Sequence, residues 1–205
     1  MRAGERFFET IPDFRGAFER DRDRIIHSES FRNLEYKTQV FLNTDGDYFR
    51  TRLTHSLEVS QIARTIAKNL GLNESLAEAI ALCHDIGHTP FGHIGGDTLD
   101  ICLKTAGSIH GFEHNFQSFR VLTELEKKYV AFNGLNLSFA TLEGVLKHSM
   151  PYRKSFLSTR FDELFRLDFH PSPEALIVDN ADSIAYTSAD IDDALRYGLV
   201  CTQDL

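Results

Sequence analysis

Three features of the sequence predict an all-α domain. Apolar residues recur at helical spacing, helix-capping residues stand between the periodic stretches, and runs of alternating β-branched residues are absent. From His55 to Leu70 the apolar positions are Val59, Ile62, Ala63, Ile66, Ala67 and Leu70, the stripe of a helix with one buried face. Gly71 is a natural C-terminal stop and Asn73 an N-cap for the next helix. That helix has Leu76, Ala79, Ile80 and Cys83 as its inner stripe and ends at Gly87. A third helix is predicted from about Asn115 to Tyr129, on Phe116, Phe119, Val121, Leu122 and Leu125. A fourth covers about Leu142 to His148, and a fifth runs from Pro173 to about Leu195 on Ala175, Leu176, Val178, Ala181, Ile184 and Ala185. The stretch from Pro151 to Pro173, with Arg153, Lys154, Arg160 and Arg166, reads as an irregular excursion with a solvated basic face.

Length and composition narrow the class. The 205 residues fit one domain, large enough to bury a core without disulfides or metal staples. Hydrophobic residues at 42% and charged residues at 25% exclude a disordered chain. The net charge of −8 disfavours a general nucleic-acid surface but leaves room for an anionic small ligand, because a metal and a few arginines can reverse the field locally. No apolar stretch is long enough to span a bilayer, and the Met1-Arg2-Ala3-Gly4-Glu5-Arg6 start leads into no apolar signal region, so a cytoplasmic protein is expected. Cys83, Cys102 and Cys201 form no CxxC pair, which argues against a zinc ribbon or a disulfide framework; three buried thiols are expected.

The histidines carry the functional signal. His55 lies one turn before Val59 and His84 one turn after Ile80, so two helices each bring an imidazole towards a common interior, one with Asp85 attached. Asp182, Tyr186 and Asp190 are spaced by four and share a helical face, with Asp179 one turn earlier and Asp193 three residues further on. Two imidazoles and two carboxylates are a competent donor set for a divalent metal, without choosing among Mn, Fe, Ni, Zn and Mg-like ions. By spacing alone, a satisfied core histidine and a solvated aspartate remain open alternatives. The segment His84-Asp85-Ile86-Gly87-His88-Thr89-Pro90-Phe91-Gly92-His93 adds two more histidines in a stretch broken by Gly and Pro, which reads as a loop lined with ligands and proton carriers. His27, His110, His148 and His170 are expected to be structural or exposed.

At these residues the sequence resembles the HD superfamily of metal-dependent phosphohydrolases, whose H…HD…D signature is matched by His55, His84-Asp85 and Asp182. It is similar in particular to the deoxyguanosinetriphosphate triphosphohydrolase-like (dGTPase) branch. The similar blocks are Arg20 to Ser28, Phe31 to Phe41, Arg50 to Val59, Gly111-Phe112-Glu113-His114-Asn115, Leu142 to His148 and Ile177 to Tyr186. The resemblance implies an all-α HD-domain helical bundle with the metal site between helices. It implies a single HD domain over 1–205, with an N-terminal arm and substrate-motif segment over about 1–50 and the HD core over 51–200. Relatives in this branch are longer, so a C-terminal helical extension is expected to be missing.

The resemblance also implies roles. His55, His84, Asp85 and Asp182 would hold one divalent ion, Mn²⁺ or Mg²⁺ first, with Fe, Ni, Co or Zn as other choices. Arg52 would contact the triphosphate, where its planar fork suits phosphate oxygens. Gln39, Tyr186 and Asp190 would line the deoxyribose side. His88, His93 and His114 would be the acid/base and phosphate-neutralising histidines. The implied reaction is hydrolysis of a deoxynucleoside triphosphate, dGTP foremost, to deoxynucleoside and tripolyphosphate, by a homo-oligomer. Single-stranded nucleic acid, a partner in parts of the family, has no footprint in this sequence. One position departs from the branch: the glutamate usual three residues after the histidine of Phe91-Gly92-His93 is replaced by Gly96. Two alternatives therefore stand beside the main expectation, an HD-type nucleotide phosphatase releasing orthophosphate and a catalytically weakened metal- and nucleotide-binding protein.

Overall fold

The computed structural model describes residues 3–9, 11, 13–41, 49–149 and 159–203. Among these residues the secondary structure is helical: α1 (Ala17–Ile26), α2 (Glu29–Arg32), α3 (Arg52–Asn69), α4 (Glu74–Cys83), α5 (Gly92–Thr105), α6 (His114–Arg120), α7 (Phe139–Leu146), α8 (Thr159–Phe165) and α9 (Pro173–Tyr197). The extended pairing they show is a single antiparallel bridge between Thr38 and Thr51. The all-α expectation holds.

The helices begin where side chains can take up free backbone N–H groups. Asn73 Oδ1 accepts from Leu76 N to start α4, Ser138 caps α7, and Ser172 caps α9 ahead of Pro173. α3 lies against both α4 and α9, and α4 also contacts α1, α7 and α9. The seam is built from small residues: Ala63 and Ala67 of α3, Ala77 and Ala81 of α4, and Ala181 and Ala185 of α9 are all buried. Alanines at a helix contact let the backbones approach, so polar side chains one turn away can meet across the gap. A second, bulkier cluster of Phe31, Leu34, Leu82, Phe116, Phe119, Leu142, Leu146 and Phe165 fixes α6, α7 and α8 against the other side of α4.

The structure corrects several boundaries. The third helix does not reach Tyr129: α6 ends at Arg120, one wider turn follows over Val121–Leu125, and the chain is extended from Glu126. Glu126 is captured instead by α2, its carboxylate accepting from Glu29 N and Ser30 N at 2.9 and 3.2 Å. α4 stops at Cys83, so His84 to Gly87 form a turn rather than its last residues. The histidine-rich loop is short, because α5 begins at Gly92 and carries His93. α1, α2, α5 and α8 lie outside the five stretches read from periodicity. Of the cysteines only Cys83 is buried; Cys102 and Cys201 are exposed, Cys102 because α5 buries little beyond Gly92. Most of the basic excursion, including Arg153 and Lys154, lies outside the described residues. Among the described residues, no helix is long and apolar enough to cross a membrane.

One buried acid ties the N-terminal segment to this frame. Asp21 is fully buried on α1, accepts from Ser138 N, Ser138 Oγ and Thr141 Oγ1, and pairs with Arg6. Asp21→Ala strands the Arg6 charge and three donors, and should cost about 3–5 kcal/mol in urea unfolding. A loss below about 1 kcal/mol, the scale of an exposed ion pair, would contradict this account of how α1 and α7 are joined.

Candidate active site

The site assembles at the first turn of α3, the end of α4 and the middle of α9. The N-terminus of α3 is locked by a reciprocal cap, with Thr51 Oγ1 accepting from Thr54 N and Thr54 Oγ1 accepting from Thr51 N. Arg52 N also donates to Lys37 O at 3.0 Å. Arg52 and His55 are thereby held one turn apart, both almost completely buried.

His84 follows α4 directly. Its Nδ1 lies 2.6 Å from Ala81 O, and a carbonyl can only accept, so Nδ1 carries the proton. The neutral ring then offers an unprotonated Nε2. That Nε2 is buried and has no hydrogen-bond partner. His55 Nε2 donates to Asp182 Oδ1 at 2.8 Å, and His84 Nε2 lies 3.9 Å from the same oxygen. His55, His84 and Asp182 each offer one donor atom within 4.8 Å of the others. Asp85 lies beside this trio but outside it, with Oδ1 3.4 Å from His84 Nε2. An orphaned imidazole nitrogen facing two carboxylates and a second imidazole fits a divalent cation.

The turn after His84 is held by a close approach. Ser118 Oγ donates to His84 O at 3.1 Å and accepts from Gly87 N at 2.8 Å. A Cβ on Gly87 would lie 2.2 Å from both His114 O and Ser118 N, so only glycine lets α6 sit this near. The contact brings His114 beside His88, with ring centres 4.1 Å apart, and His93 of α5 lies 5.6 Å from His88. The three expected relay histidines therefore form one cluster. Asp85 joins it to the metal-competent group, since the same Oδ1 lies 3.0 Å from His88 Nδ1. Asp85 Oδ2 accepts from Arg52 Nη1 at 2.8 Å.

Electrostatics follow from burial and these contacts. Burial would raise the Asp85 carboxyl, but His84, His88 and Arg52 override it and hold it well below the usual range. Asp182 is likewise lowered, its burial outweighed by hydrogen bonds from His148 and His55. Burial lowers His84 and pushes His88 down to about 4, leaving His88 neutral at pH 7. His55 is raised because its bond to Asp182 overcomes burial.

Of the two expectations for His148, structural or exposed, the structure shows a buried, paired ring: its centre is 5.0 Å from that of His84, with Nε2 3.5 Å from Asp182 Oδ2 and Nδ1 2.5 Å from Asp179. These two carboxylates outweigh burial and raise His148 to about 10. The signal for it was the pair Asp179 and Asp182 on one face of α9, two acids turned to an apolar interior and needing a cation.

The substrate-side residues are less closely drawn together. Gln39 Oε1 is buried and unpartnered. Tyr186 is half-exposed, one turn past Asp182 on α9. Asp190, a further turn along, has its carboxyl raised by burial and by Asp193, and feels the charge of His55. Asp193 itself is buried and pairs with Arg50 at 2.7 Å.

The HD domain family matches residues 52–187, a stretch that opens on Arg52 and contains both the His84-Asp85 pair and Asp182. The chain belongs to this family. It is similar to curated proteins named deoxyguanosinetriphosphate triphosphohydrolase-like. That of Wolinella succinogenes is 68% identical over 205 residues, covering 100% of this chain and 56% of the relative. Those of Geobacter metallireducens and Nitrosomonas europaea are 54% and 55% identical over 202 residues, each covering 98% of this chain, and 51% and 53% of the relative. The chain thus spans about half the length of the curated relatives it matches.

If these side chains form a metal centre, His84→Ala and Asp182→Ala should each lose bound metal while remaining folded, since losing one ligand of four collapses affinity. Metal content after dialysis against Mn²⁺, read beside far-UV circular dichroism, checks this. One equivalent retained in both variants would remove the assignment.

Proposed function

We propose that the chain carries out metal-dependent hydrolysis of deoxynucleoside triphosphates, dGTP foremost, releasing deoxynucleoside and tripolyphosphate. The observation that carries this reading is the position of Asp85, whose Oδ1 touches both the metal-competent group at His84 and the proton-carrying group at His88. A phosphoryl centre placed between the two groups would meet a Lewis acid on one side and proton carriers on the other. The relatives' names support the substrate class.

His55, His84, Asp85 and Asp182 would hold the ion, which in such a site polarises a phosphate oxygen and makes bound water more acidic. Mn²⁺ or Mg²⁺ is the first choice, though the donor set also suits Fe, Ni, Co or Zn. The protein's residues would do the rest. His88, neutral at pH 7, can accept the proton of the attacking water as the bond to the α-phosphorus forms. His93 can give a proton to the departing 5′-oxygen of the deoxynucleoside, and His114, beside His88, can take one up at its free nitrogen. Arg52 has a buried Nε without a partner, spare donor capacity suited to a triphosphate oxygen. Gln39 Oε1, an unpartnered acceptor, suits the 3′-hydroxyl. Tyr186 against the sugar's 2′ carbon and Asp190 on the 3′-hydroxyl would complete a preference for deoxy sugars. The same reading places the protein in the cytoplasm as a homo-oligomer.

The test is a product balance with each dNTP and Mn²⁺, resolved by ion exchange. Deoxynucleoside plus tripolyphosphate, abolished by Asp85→Ala, is the expected result. Orthophosphate as the product would replace this reading with a nucleotide phosphatase, and no turnover of any dNTP would contradict it.

Gly96 favours a second reading, a catalytically weakened binder. A Cβ at Gly96 would lie 3.6 Å from the Phe112 ring and 3.8 Å from Thr89 Oγ1, ordinary contacts, so the position has room for a side chain. On that reading Gly96→Glu should raise turnover on the order of 100-fold, the lower end for a general acid or base. An unchanged rate would show that the cluster works without a carboxylate there.

A further inference from the structure

We propose that Glu113 is the positioning carboxylate of the histidine cluster, fixing the tautomer of His114. Its importance for turnover rests on the proposed reaction; its hold on His114 does not.

Glu113 uses its two oxygens for separate tasks. Oε2 accepts from Asn115 N at 2.9 Å and Phe116 N at 3.0 Å, capping α6. Oε1 lies 3.0 Å from His114 Nδ1. The cap removes rotational freedom from the carboxylate, so Oε1 is presented to the imidazole from a fixed position. Burial alone would raise this carboxyl, but the bond from His114 and the helix amides lower it, so it is ionised and acceptor-only at neutral pH. An acceptor-only partner requires the proton of neutral His114 to sit on Nδ1. Nε2 is then unprotonated beside His88, whose own Nε2 is buried without a partner. A carboxylate that sets which ring nitrogen carries the proton is the device by which histidines are aimed in proton-transfer sites.

The neighbouring acids are committed elsewhere. Gly96 brings no side chain. Asp100 Oδ1 accepts from Phe112 N at 2.8 Å and Oδ2 pairs with Lys104. Asp97, one residue past Gly96 on α5, is exposed. Asp85 serves His88. Among the described residues, Glu113 is thus the acid in contact with His114.

Glu113→Gln separates this role from the cap. The two backbone N–H groups need an acceptor, so the glutamine oxygen should stay on them and the NH₂ should face His114. An NH₂ can only donate, so the proton should move to Nε2. Nitrogen-15 chemical shifts of the His114 ring, measured in the metal-loaded full chain, read this directly. The expected result is Nδ1–H in the wild type and Nε2–H in the variant, with kcat falling about 10- to 100-fold and KM little changed. If Glu113→Gln folds poorly, Glu113→Asp keeps a good N-cap while withdrawing the carboxylate from Nδ1, and should give mixed tautomers and an intermediate rate. The same tautomer in wild type and Glu113→Gln would overturn the proposal, as would an inverted tautomer at unchanged kcat. A wild type inactive on every dNTP would count against the proposed reaction, while the tautomer comparison would still decide whether Glu113 sets His114.

Discussion

Two carboxylates, Asp85 and Asp182, lie where α3, α4 and α9 meet, and their charge dictates the arrangement around them. Asp85 is almost fully buried and Asp182 largely so. Leaving either without compensation would cost several kcal/mol. The protein answers with Arg52 and His88 on Asp85, and with His55 and His148 on Asp182. His84 stands between the two acids with a bare nitrogen. The alanine seam makes this possible, because bulkier residues at Ala63, Ala81 or Ala181 would hold the helices too far apart for the side chains to meet.

The turn between α4 and α5 links this charged centre to the cluster of His88, His93 and His114. It is short, pinned by Ser118 and closed by Gly87, which leaves its two histidines, His84 and His88, little freedom. The next residues are strained: Phe91 takes a left-handed φ of 67°, a conformation that costs a non-glycine residue of order 1–3 kcal/mol. Strain at this point turns the chain into α5 and sets His93 beside His88. The centre and the cluster are therefore one construction sharing Asp85.

How much of this could be read in advance depended on whether a signal was local. The stripes of α3 and α4 are periodic and long, so His55 and His84 could be placed on inward faces from spacing alone, whereas spacing gives Asp182 only a face shared with Tyr186 and Asp190. The resemblance then supplied Asp182 as a ligand, together with Arg52 and the cluster of His88, His93 and His114. α1 and α5 are amphipathic but polar or glycine-containing, and α2 is a single turn, so their apolar pattern was too thin to register. Glu126 looked like the tail of a helix because nothing in its neighbourhood reveals a distant α2 in need of a cap. His148 is hidden for the same reason: its partners, Asp179 and Asp182, are both more than thirty residues away and declare themselves only when α7 packs beside α9. Glu113 was visible within a motif, but its division of labour between a cap and a histidine is a matter of geometry.

The central claim is that His55, His84, Asp85 and Asp182 share one divalent ion. Its most direct test is a crystal soaked in Mn²⁺ and measured at the manganese absorption edge. The account predicts one anomalous peak within bonding distance of all four side chains, with His148 still on the outer oxygen of Asp182. A peak bound by His55, His84 and Asp182 alone, with Asp85 still paired to Arg52, or no peak at this site, would contradict it.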